Sequence, residues 1–134
     1  MGLIYLDSCL VIYAFEDDAR WGLPVKAAMA AAAPSEFAIS PLVRFECLVG
    51  PMRSGNLQLQ RHYEEGLRQF RQLAMPDAVY VLGATLRARH GLKPPDALHL
   101  ATAQWHRCDA LWTHDTRLGR AAHGLAMDIL HAAM

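Results

Sequence analysis

Long uncharged apolar runs are missing from this 134-residue chain. None approaches the roughly 18 residues of a membrane-spanning helix, so no membrane association is expected. The N-terminus has no basic region, and Asp7 breaks its apolar segment, which argues against a secretion signal. Cysteine is scarce: Cys9, Cys47 and Cys108 are odd in number and form no C-x-x-C pair. That usage speaks against a disulfide framework and fits buried thiols in a soluble cytoplasmic protein. Neither G-x-G-x-x-G nor a P-loop occurs, which counts against a nucleotide cofactor. The seven histidines form no H-x-x-x-H or H-x-x-E-H pattern, so a zinc hydrolase is not expected. His99 and His106, seven apart, read as packing or surface residues.

Net charge is absent as well, with thirteen basic and thirteen acidic residues. The balance announces no nucleic-acid partner, but it depends on where the acids lie. With four acids gathered in one metal site, nine would remain against thirteen cations, a net basic surface. Eleven of the cations are Arg, the better side chain for bidentate phosphate contacts.

What the chain does have is apolar content, at 53% above the usual range, in a length that makes one domain over 1–134. Leu3-Ile4-Tyr5-Leu6 reads as a strand buried on both faces and ending on Asp7 and Ser8. Leu10, Val11, Tyr13, Ala14 and Phe15 suggest a short helix that stops at Glu16-Asp17-Asp18. A helix over 25–33 follows Pro24, then a strand over 37–40. Pro41 opens a helix in which Leu42, Phe45, Val49 and Met52 recur at helical spacing, ended or kinked at Gly50-Pro51. Ser54-Gly55-Asn56 is a turn, 57–70 an amphipathic helix and 73–75 a brief strand. Ala78-Val79-Tyr80-Val81 has strand propensity, but Val79, Leu82, Leu86 and His90 keep the helical period. Gly91 is a good residue to end that helix. Pro94-Pro95 opens a helix over 96–105. A strand over 110–113, a helix over 116–122 and a strand over 125–130 complete the chain. The alternation predicts an α/β fold of about five short parallel strands with helices on both faces.

Four carboxylates fall at comparable places. Asp7 follows the first strand, Glu46 lies one to two turns into the helix after the second, Asp96 is in the first turn of its helix, and Asp115 follows Thr113 at the end of a strand. Their separations are 39, 50 and 19 residues, so only the fold can bring them together. Each has a plain alternative. Asp7 and Asp115 are good helix N-caps, Asp96 complements a helix dipole, and Glu46 is a solvated helix residue despite neighbours Phe45 and Cys47 that look buried. Gathered at one sheet edge, four acids repel strongly unless cations neutralise them. Hard oxygen ligands in that number suit Mg²⁺ or Mn²⁺. Such ions polarise a phosphodiester and lower the pKa of a bound water, which points to metal-assisted phosphodiester hydrolysis. Ser8 and Thr113 are the supporting hydroxyls.

The segments Tyr5-Leu6-Asp7-Ser8, Ser40-Pro41-Leu42-Val43-Arg44-Phe45-Glu46, Pro95-Asp96-Ala97-Leu98-His99-Leu100-Ala101-Thr102-Ala103 and Trp112-Thr113-His114-Asp115 resemble, in order and spacing, the PIN domain. The chain looks like a small bacterial PIN-domain ribonuclease of the VapC toxin type. The resemblance covers nearly the whole chain, and its Asp-Ala-Leu-x-Leu-Ala-Thr-Ala block is the most specific part. It implies that Asp7, Glu46, Asp96 and Asp115 ligate one or two Mg²⁺ or Mn²⁺ ions. It further implies cleavage of RNA to 5′-phosphate and 3′-hydroxyl ends, a homodimer, and a VapB-like antitoxin that obstructs the site. Cys9 departs from the pattern, standing where the family often has Asn or a small hydroxyl residue. Arg44 and Arg53 are the candidate RNA contacts of a basic central region. Two other classes compete. A phosphorylation-receiver module would need Asp77 as phosphoacceptor and Lys93 at a strand end, both poor matches. A PIN fold kept only as a binding module would show no metal binding.

Overall fold

The apolar run after Gly2 forms β1 (Leu3–Leu6), and it is the central strand that its burial on both faces requires. The computed structural model describes residues 2–114, 118, 125–127 and 130. Among these, β1 is followed by α1 (Ser8–Phe15), α2 (Gly22–Ala31), β2 (Glu36–Ile39), α3 (Pro41–Ser54) and α4 (Leu57–Leu67). Then come β3 (Arg71–Gln72), α5 (Asp77–His90), α6 (Pro94–Trp105), β4 (Ala110–Trp112) and β5 (Ala126–Met127). The strands make one sheet in the order β3-β2-β1-β4-β5, with every pairing parallel. The α/β class and the parallel sheet are those expected.

That order carries the architecture. The chain steps outward from β1 to β3, then returns past β1 to β4. Right-handed crossovers therefore put α1 to α4 on one face of the sheet and α5 and α6 on the other. The direction reverses between β1 and β4, which pair with Tyr5 opposite Leu111 and Leu6 opposite Trp112. In open α/β sheets the binding crevice lies beyond the strand ends at this reversal. Tyr5, Leu6, Ile39 and Leu111 are buried in the core around it.

Helix α5 shows packing deciding over propensity. Its β-branched start is helical because Val79, Gly83 and Leu86, spaced four and three apart, form its buried face. Gly83 permits a close approach to α6: a Cβ there would stand 3.0 Å from Leu98 Cδ2. Gly91, at φ 65°, ends the helix as the sequence suggests.

Three boundaries differ from expectation. Helix α3 does not end at Gly50-Pro51 but runs on to Ser54. The Pro51 ring is buried, and Gly55 at φ 70° makes the actual stop, with Asn56 N donating to Pro51 O at 2.9 Å. Strand β3 is Arg71–Gln72 rather than 73–75, because that register sets Ala38 against Arg71 and Ile39 against Gln72. The inward face of α3 is Val43, Cys47 and Pro51, whereas Phe45, Val49 and Met52 are 59%, 37% and 54% exposed. Two apolar stripes run along this helix, and periodicity alone does not say which meets the core. The helix expected over 116–122 lies outside the described residues apart from Leu118, and β5 falls within the expected 125–130.

Candidate metal centre

Asp7 stands immediately after β1, at the N-cap position of α1 with extended backbone (φ −66°, ψ 148°). Its side chain makes no capping hydrogen bond. Instead Thr113 Oγ1, just beyond β4, donates to Asp7 Oδ2 at 2.7 Å, and Ser8 Oγ donates to Oδ1 at 3.4 Å. The neighbouring strands β1 and β4 thus deliver an acid and a hydroxyl to the same end of the sheet. The backbone continues that pairing, with Asp7 N donating to Trp112 O at 3.0 Å. The carboxylate is nearly enclosed, at 7% exposure.

Glu46 arrives from α3. Ser40 caps that helix by accepting from Val43 N at 3.4 Å, and Pro41 occupies its first turn, so Glu46 falls on the second turn. Ser8 Oγ donates to Glu46 Oε1 at 3.0 Å, so this one hydroxyl links both acids. His99 of α6 lies 2.6 Å from the same oxygen through Nε2, and 3.7 Å from Asp7 Oδ1. Atoms of Asp7, Glu46 and His99 capable of holding a metal lie within 4.8 Å of one another.

From sequence alone His99 reads as a packing or surface residue. It is buried, yet its ring bridges the site. The available signal was its position three residues after Asp96, which puts the two on one helix face. Asp96 sits half-buried in the first turn of α6, at the helix end where an acid is favoured. It is not part of the 4.8 Å cluster. Asp115 lies outside the described residues.

Electrostatics follow from this enclosure. Burial pushes the Glu46 carboxyl up, but its contacts with His99 and the Ser8 hydrogen bond outweigh that and hold it below the ordinary value. Burial, with the Asp7 and Glu46 charges adding to it, pushes the Tyr5 phenol up, so it stays protonated. Cys9 is pushed up by burial and by Asp7, and Cys47 is pushed up to about 12 by burial and by Glu46. Both thiols beside the site acids are therefore protonated near neutral pH, which suits packing roles. Arg44 and Arg53 are both exposed on α3. Nine residues is two and a half turns, so they leave opposite sides of that helix, Arg53 on the side of Glu46.

Residues 4–124 match the family model described as PIN domain. The chain belongs to the PIN domain family. Within it, the PIN domain described here superposes on a toxin–antitoxin complex from Klebsiella pneumoniae with a TM-score of 0.78 and 26% identity, covering 94% of this chain and 97% of that one. VapBC2 from Rickettsia felis, bound to a promoter DNA fragment, gives 0.75 at 17% identity over 93% and 97% of the two chains. VapBC-1 from nontypeable Haemophilus influenzae gives 0.74 at 17% over 96% and 98%. These two likenesses speak to the fold. In direct sequence comparison no curated protein matches the chain. Family membership removes the receiver-type alternative, and Asp77 is accordingly an exposed residue in the first turn of α5 while Lys93 is the residue before α6. No helix among the described residues is long and apolar enough to cross a membrane.

Proposed function

We propose that this PIN domain is the toxin of a toxin–antitoxin pair: a Mg²⁺- or Mn²⁺-dependent endoribonuclease of the cytoplasm, neutralised by a VapB-like antitoxin. The observation that carries the reading is a charge imbalance. Asp7 and Glu46 are drawn together at the sheet's reversal point, and among the described residues neither pairs with Lys or Arg. The one base beside them among those residues is His99, and a single imidazole cannot neutralise two carboxylates, so the pair is costly unless a cation joins it. An all-oxygen donor set of this kind fits a hard divalent ion.

Asp7, Glu46 and Asp96, with Asp115, are the residues that would hold the ion. A divalent cation bound there supplies Lewis acidity toward the phosphodiester and a water of lowered pKa. Ser8 and Thr113 hold the two carboxylates in place through the hydrogen bonds described above. Arg44 and Arg53 are the candidate contacts with the RNA backbone, both exposed on α3. Cleavage leaves 5′-phosphate and 3′-hydroxyl ends.

The test is cleavage of total RNA by purified protein with Mg²⁺, with Mn²⁺, or with excess chelator. Activity should require the ion. It should fall by about 100-fold or more in Asp7→Asn and in Asp96→Asn, since losing even a supporting residue of a metal site costs up to that much. Full activity in both variants would sink the mechanism. Absence of Mn²⁺ binding by calorimetry would instead indicate a PIN fold that serves only in binding.

A further inference from the structure

The hydrogen bonds behind Glu46 have a direction that can be read by counting protons. Ser40, Tyr5 and His99 are all buried, at 0%, 0% and 1% exposure, so each of their protons needs an acceptor within the protein. Ser40 Oγ lies 2.7 Å from Tyr5 Oη and accepts from Val43 N. Tyr5 Oη is the one acceptor within reach of the Ser40 hydroxyl among the described residues, so Ser40 donates to Tyr5. The Tyr5 proton must then go to its other neighbour, His99 Nδ1, at 2.6 Å. An imidazole accepting at Nδ1 carries its proton on Nε2, and Nε2 faces Glu46 Oε1 at 2.6 Å. Glu46 Oε1 also accepts from Ser8, whereas Oε2 takes no hydrogen bond among the described residues.

We infer that Ser40, Tyr5 and His99 form a one-way relay that fixes His99 as an Nε2–H donor to Glu46 Oε1, leaving Oε2 for the cation. His99 is therefore a positioning residue for metal binding and not a ligand. The relay joins three elements, since Ser40 precedes α3, Tyr5 lies in β1 and His99 in α6. It sets the orientation of Glu46 from the core rather than from solvent. Groups that orient a ligand in this way commonly change metal affinity by about 10- to 100-fold when lost. The inference rests on the metal-dependent reading above.

Two measurements on the full-length protein test it. In the metal-free protein, long-range ¹H–¹⁵N correlation of the histidine rings should show His99 with bare Nδ1 and protonated Nε2. Protonation at Nδ1, alone or with Nε2, would overturn the relay. Mn²⁺ affinity, measured by paramagnetic resonance of the free ion, should weaken by about 10-fold in Tyr5→Phe and by 10- to 100-fold in His99→Leu. His99→Gln retains an N–H donor and should recover most of the loss. Tyr5→Phe keeps the ring in the core and serves even where His99→Leu fails to fold. Wild-type affinity in Tyr5→Phe and in folded His99→Leu would overturn this inference alone. No Mn²⁺ binding by the wild-type protein would overturn the metal-dependent reading and, with it, this role for His99.

Discussion

Glu46 is held from two sides, by Ser8 and by His99, and these contacts make its ionisation part of the folding equilibrium. Its pKa in the folded protein lies below the ordinary 4.5. The unfolded chain therefore takes up that proton first as the pH falls. The resulting stabilisation is complete above the ordinary value and is lost as pH falls through the folded value. Glu46→Gln has no such proton to take up. Urea midpoints of wild type and Glu46→Gln between pH 6 and pH 3 should thus differ in slope, with the wild type falling more steeply on the acid side. Parallel falls would show that Glu46 contributes nothing to acid stability. At this scale Asp7 was legible from sequence, because an acid ending a buried parallel strand has few places to go. His99 was not, because a lone histidine on an apolar face looks the same whether it packs or donates.

Two helices carry glycines whose surroundings differ sharply. Gly50 lies in the interior of α3, exposed, with nothing beyond its own helix and its chain neighbours, Val49 and Pro51, within 4 Å of where a Cβ would stand. Gly50→Ala gains helix propensity but sets a Cβ against the Pro51 ring, which disfavours helical backbone in the residue before it. The two effects offset, so stability read from the urea midpoint should change by less than about 1 kcal/mol. Gly66 lies in α4, where a Cβ would collide with the Phe15 ring. That ring is stacked on Tyr63 at 5.2 Å between centroids and 7° between planes, and Tyr63 donates to Glu16 Oε2 at 2.5 Å. Overpacking here costs about 1–3 kcal/mol, so Gly66→Ala should lower the midpoint despite its better propensity. A clearly lower midpoint for Gly66→Ala than for Gly50→Ala is the expected result, and equal shifts would refute the contact. Sequence pattern located both helices. It could not tell the glycines apart, because the collision is with a residue 51 positions away.

Across the whole molecule, the exposed stripe of Phe45, Val49 and Met52 on α3 is an apolar surface next to the candidate site, on the helix that bears Glu46. We assign it to an apolar segment of the antitoxin, which would thereby lie close to the metal centre and obstruct it. On α5, Tyr80 and Val81 are 50% and 62% exposed and form a second apolar surface. Phe45→Asp with Met52→Asp should abolish co-purification with the product of an adjacent small open reading frame while leaving Mn²⁺ affinity unchanged. The homodimer that the resemblance implies would give twice the 14.9 kDa chain mass by light scattering, for that variant as for the wild type. Unchanged co-purification would place the antitoxin elsewhere, and a monomer would remove the dimer. This surface was misjudged from sequence for a physical reason. Burial of Val43, Cys47 and Pro51 turns the bulkier stripe outward, and hydrophobic periodicity measures the presence of an apolar face rather than what covers it.

The residue order by itself determined the alternation of strand and helix, the parallel sheet and the acids placed at element ends. Those follow from local signals: a doubly buried apolar run, proline at helix starts, and glycine at helix stops. Only the tertiary structure decided which groups meet. Strand order brought Thr113 to Asp7 across 106 positions of sequence. Crossing between faces brought His99 of α6 to Glu46 of α3 and to Tyr5 beneath it. Such contacts are set by the order of strands in the sheet and by the packing of helices over it. No local pattern encodes either, so Asp7 and Glu46 could be picked out in advance as candidates, but the histidine that meets them could not.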